Sequence, residues 1–66
     1  MPRVPLSTMP GAELRALRES LGMRQVDFAA LLGIRAENLS RKENGRQAIT
    51  AQVAARARRV AEERSE

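Results

Sequence analysis

Arg35, Ala36, Glu37, Asn38 and Arg41 crowd into one short stretch of the chain and match, in type, the edges of the nucleobases. An arginine fork donates two bonds to guanine, a carboxamide pairs with adenine, a carboxylate accepts from cytosine N4, and an alanine methyl meets the thymine methyl. Glu37 has a second use of equal weight. Standing four residues before Arg41, it has the orientation that favours an intrahelical ion pair, which would also hold Arg41 for a guanine. Ten residues before Arg35, Gln25 opens an apolar-periodic segment, so its amide belongs beside a helix N-terminus, where free N–H groups and the helix dipole favour a phosphate.

The totals point the same way. Twelve Lys and Arg against eight Asp and Glu leave a net charge of +4 on 66 residues, and all but one of the cations are Arg. The planar guanidinium suits phosphates and guanine edges, so the expected partner is a polyanion. With one Phe and neither Tyr nor Trp, the chain lacks the aromatic platforms on which single strands stack, which ranks duplex DNA first. There is no His, no Cys, no glycine-rich phosphate loop and no carboxylate pair in an apolar setting, so no catalytic residue, metal site or cofactor is expected. No apolar run approaches the about 18 residues of a membrane span, and Met-Pro-Arg-Val-Pro does not begin a signal peptide; a cytoplasmic, nucleoid-associated protein is expected.

These side chains need helices to position them. Three prolines in the first ten residues predict an extended or disordered arm over residues 1–7, followed by a single domain over 8–64. Thr8 is the expected N-cap of a first helix over about 9–20, with Pro10 tolerated in its first turn and Leu14, Leu17 and Leu21 forming its apolar stripe. Gly22 provides a left-handed stop. A second helix over 25–32 buries Phe28, Ala29 and Leu32, and Gly33 ends it. The gap to the next periodic segment is too short for anything but a tight turn between crossed helices. A third helix over 36–43 is pinned by Leu39 and closed by Asn44-Gly45. Thr50 caps a fourth over 51–63, which buries Val53, Ala54, Ala57, Val60 and Ala61 and carries Arg56, Arg58, Arg59 and Arg64 outside. The fold class is all-α: four compact helices, with room for a short fifth turn.

Read in order, Leu14-Arg15-Ala16-Leu17-Arg18-Glu19, Gly22-Met23-Arg24-Gln25, Phe28-Ala29, Leu32-Gly33-Ile34 and Glu43-Asn44-Gly45-Arg46 resemble the lambda-repressor-like (Cro, phage-repressor, XRE-type) helix-turn-helix family. The resemblance implies a transcriptional regulator, a repressor or autoregulator, whose third helix enters the major groove. It implies that Gln25 contacts the DNA backbone, that Asn44 and Arg46 lie in a loop along the phosphates, and that Arg18 and Glu43 form a structural ion pair tying the first helix to the end of the third. Arg24 and Arg35 stand where the family usually has a Ser or Thr cap. Each loses the cap and sets a cation against a positive helix end, which a DNA phosphate would offset, so both read as DNA contacts. Lys42 falls at a commonly apolar position.

The family binds palindromic operators as twofold homodimers with half-sites about 34 Å apart. Ile49 and Val60 are the apolar candidates for the dimer interface, Val60 having core packing as its stronger use. A protein-binding module is the main alternative, an antitoxin-like partner of another protein that touches DNA secondarily. A third reading makes the basic helix 51–64 a membrane-surface amphipath, but its Ala and Val face offers nothing large to insert.

Overall fold

The computed structural model describes residues 9–64. The arm over 1–7 and the Thr8 cap lie outside the described residues. Four helices follow in chain order, α1 (Gly11–Ser20), α2 (Gln25–Leu32), α3 (Ala36–Glu43) and α4 (Ala51–Arg64). There is no strand among the described residues, and no helix there is long and apolar enough to cross a membrane.

Each helix begins and ends for a local reason. α1 starts two residues later than the sequence predicts because Pro10 is its extended N-cap, not a member of its first turn. The Pro10 carbonyl takes the amides of Glu13 and Leu14 at 3.0 and 3.2 Å, and the imide nitrogen leaves no donor unsatisfied. α4 is capped as expected, with the Val53 amide on Thr50 Oγ1 at 3.2 Å.

The decisive stop is Gly33. It takes φ 74° and ψ 27°, and the turn closes with Gly33 N–H on the Ala30 carbonyl (3.2 Å) and Ile34 N–H on the Ala29 carbonyl (3.0 Å). A β-carbon is strained in that left-handed region, so glycine is what lets the chain reverse within three residues. The same double closure recurs after α1 and α3. After α3 only Gly45 adopts the positive φ, while Asn44 stays at −90°.

Phe28, Met9, Leu14, Leu39 and Ile49 are fully buried, with Ala29, Leu32, Ala54, Ala57 and Val60 completing the core. α3 packs on α1 and α2, and α4 closes over α1 and α2 from another side. At the α1 to α3 contact, a β-carbon on Gly11 would stand 2.4 Å from the Lys42 carbonyl oxygen and 2.7 Å from that of Glu43. Glycine here is demanded by the approach of two backbones, whatever its own φ.

Candidate nucleic-acid interface

Ala36, Leu39 and Glu43 fall at helical spacing on the inner face of α3, and Leu39 is fully buried. The outer face then carries Arg35, Glu37 and Arg41 exposed, with Asn38 half-buried beside them. Ala36 is itself half-buried and packed on the core, so only part of its methyl faces outward.

The expected Glu37 to Arg41 pair does not form. Glu37 faces Arg35 instead, at 3.7 Å, and Arg41 Nη1 donates to Asn38 Oδ1 at 3.4 Å. The same Asn38 oxygen accepts from Gln47 Nε2 at 3.2 Å. Asn38 is thereby oriented from two sides, and Gln47, which no periodicity marks, joins the site from the loop after α3. Since both contacts fall on its oxygen, the Asn38 amide retains its two N–H donors for an outside acceptor.

Arg24 and Arg35 are the N-caps of α2 and α3, and neither makes a side-chain cap bond. Both are 79% exposed. Arg24 leans on Asp27 through Nε to Oδ2 at 2.9 Å, and this hydrogen bond, followed by Coulomb attraction to Asp27, raises the guanidinium above its usual range. A carboxylate in the first turn thus partly offsets each misplaced cation.

Behind the exposed face, the Glu43 carboxylate is 2% exposed and takes three bonds. Arg18 reaches it in a fork, Nε to Oε2 at 2.7 Å and Nη2 to Oε1 at 3.2 Å, and Gln25 Nε2 adds a third at 3.0 Å. Arg18 Nη1 also donates to the Met23 carbonyl at 2.9 Å. The Glu43 carboxylate therefore ties the end of α3 to α1 and to the first residue of α2, and Arg18 extends the tie to the turn before α2. The hydrogen bond to Glu43 raises Arg18 above the usual guanidinium range, against the opposing pull of burial, and attraction to Glu43 and Glu19 adds to it. Gln25 is a brace here, and its nitrogen keeps a second N–H for a phosphate.

Lys42 is half-buried, and its Nζ donates to the Ala48 carbonyl at 3.1 Å, which steadies the loop that carries Arg46. Arg46 and Asn44 are exposed, Asn44 at 3.5 Å from Ser40 Oγ. Ile49 and Val60 lie elsewhere. Ile49 is 0% exposed and Val60 8%, so Ile49 is spent in the core of the single chain, which removes it from any surface a second copy can reach.

The profile of a family described as a helix-turn-helix domain matches residues 11–62. The chain belongs to this DNA-binding helix-turn-helix family. No curated protein and no solved structure matches it. The match runs from Gly11, where α1 meets α3, nearly to the end of α4, so the helix-turn-helix domain takes in the whole four-helix unit and the Arg18 to Glu43 tie within it. Among the described residues no group of three His, Cys, Asp or Glu side chains could hold a metal ion.

Proposed function

We propose that this helix-turn-helix domain is a sequence-specific transcriptional regulator of the lambda-repressor-like type, a repressor or autoregulator acting on the nucleoid in the cytoplasm. It sets α3 into the major groove of a palindromic operator and binds as a homodimer. The observation that carries this reading is the division of α3: a buried inner edge clamped through Glu43, and an outer edge of Arg35, Glu37, Asn38 and Arg41. A rigid helix with polar groups aimed outward is what base reading requires.

The roles follow from chemistry. Arg41 and Asn38 read guanine and adenine, Glu37 accepts from cytosine, and Ala36 offers its remaining methyl surface to thymine. Arg35, at the end of α3 that enters the groove, contacts a base edge or the adjoining phosphate. Arg24, Gln25, Asn44 and Arg46 hold phosphates on either side, since phosphate contacts fix the register that base contacts exploit.

The test compares Arg41→Ala with Arg46→Ala in fluorescence-anisotropy titrations on operator and scrambled duplexes at several salt concentrations. Arg41→Ala should cost about 1–3 kcal/mol on the operator and little on the scrambled duplex. Arg46→Ala should weaken both alike and lower the salt slope by about 1. Wild-type protein that fails to bind either duplex at low salt sinks the proposal and favours the antitoxin-like reading.

A further inference from the structure

We infer that Gln47 decides which base Asn38 reads, by occupying the Asn38 oxygen so that the amide meets DNA as a donor only. The inference rests on the base reading by α3 proposed above, and it changes the base that Asn38 takes from adenine to guanine. Asn38 Oδ1 accepts from Gln47 Nε2 at 3.2 Å and from Arg41 Nη1 at 3.4 Å. A guanidinium has donors only, so the Asn38 atom beside Arg41 must be the oxygen, and Gln47, facing that same atom, can present only its nitrogen. The three side chains thus fix one another's orientation. Both lone pairs of Oδ1 are taken, while Asn38 Nδ2 keeps two N–H groups to give.

Adenine uses both halves of a carboxamide, the oxygen accepting from N6 and the nitrogen donating to N7. With Oδ1 filled from inside the protein the first half is gone, and the adenine amino group would meet N–H against N–H. Guanine shows two acceptors, N7 and O6, and no donor in the major groove, which suits an amide that can only give. Thymine offers O4 alone, beside its methyl group. Arg41 spends Nη1 on Asn38, and its Nε and Nη2 edge still offers a parallel pair of donors to a neighbouring guanine.

Gln47 can serve as a brace because the chain is pinned on both sides of it. Arg46 N–H closes on the Arg41 carbonyl at 2.8 Å, Lys42 Nζ holds the Ala48 carbonyl at 3.1 Å, and Ile49 is fully buried. Gln47 itself is half-buried, so its bond to Asn38 costs little further ordering. It is a positioning residue, acting on the base through Asn38.

Selection of bound duplexes from a random pool with the full chain tests this. Asn38→Ala locates the position that Asn38 reads, and Gln47→Glu reverses the brace. A carboxylate of the same shape accepts where the amide donated, so it draws Asn38 Nδ2 inward and turns the oxygen to the groove. The wild type should favour guanine over adenine at the Asn38 position by at least about tenfold, and Gln47→Glu should move the preference there to adenine or cytosine, whose amino groups donate. The rest of the motif should persist, which shows that the variant is folded. Gln47→Met removes the donor without adding a negative charge, and decides the matter where Gln47→Glu binds too weakly to select: a lowered guanine preference supports the inference, an unchanged one overturns it. Adenine at the Asn38 position of the wild type, a change confined to positions that Asn38→Ala does not touch, or a motif that Asn38→Ala leaves intact would each overturn the inference while base reading through Arg41 stands. A wild-type chain that enriches no motif removes the reading on which the inference rests, and the inference with it.

Discussion

A carboxylate as enclosed as that of Glu43 is tolerable only while its donors stay in place. Arg18→Ala strips two of the three bonds and leaves the charge buried, which should cost about 3–5 kcal/mol. A domain of this size rarely has more than about 3–5 kcal/mol of net stability, so the variant should lose its cooperative thermal transition at room temperature. Replacing the pair together by apolar residues, Arg18→Met with Glu43→Leu, should recover much of the loss, since the uncompensated charge is gone. The raised Arg18 pKa gives a contribution fully present below the unfolded-state value and lost only in strong alkali. With no His, Cys or Tyr in the chain to titrate nearby, the melting temperature should stay flat between about pH 6 and 9. A steep change across that window would contradict the role given to this pair. The site residues themselves were partly legible in sequence. Arg41, Asn38 and Arg35 stand out by type on the face that Leu39 leaves exposed, but their pairing does not, because spacing favours Glu37 to Arg41, whereas Glu37 lies against Arg35, whose extended N-cap backbone takes it off the helical spacing. Gln47 is illegible for a different reason: it meets Asn38 through a loop whose path only tertiary packing sets.

At the scale of elements, the helices that close on glycine were legible because positive φ has a compositional signature, whereas two features written in three-dimensional approach were not. One is Met9, buried completely although it precedes α1. The other is Gly11, whose missing β-carbon admits the carbonyls at the end of α3. Both facing atoms are backbone and cannot rotate away, so Gly11→Ala should destabilise by about 1–3 kcal/mol despite alanine's higher helix propensity. Denaturant unfolding of this variant beside Ala12→Gly, an exposed helical control, reads the difference. The caps carry a prediction of opposite sign. Arg35→Ser would give α3 a side-chain cap and remove a cation from its positive end, adding about 1 kcal/mol and raising the melting temperature by roughly 4–8 °C. The same change should weaken duplex binding. If affinity held while stability rose, Arg35 would have no part in the interface.

For the molecule as a whole, the charge balance and the arrangement of four helices are consistent with one another. Arg24 and Arg35 stand at helix starts, Arg41 in the last turn of α3 and Arg46 in the loop after it, while Arg56 and Arg59 are exposed on α4. The fold class followed from helical periodicity and the absence of any strand pattern, and the family match covers that same four-helix unit. The burial of Ile49 was not legible, because an Ile in a loop looks available until the core is seen to enclose it. Duplex binding should fall steeply with salt, as log affinity declines in proportion to the number of phosphates held. Whether α3 reads sequence is tested by selecting bound duplexes from a random pool, in parallel with wild-type protein and Arg41→Ala. An α3 that reads bases enriches a palindrome for the wild type that loses its preference at one symmetric pair of positions in the variant; salt-sensitive binding with no enriched motif, or a motif that the variant leaves intact, would contradict base reading by α3.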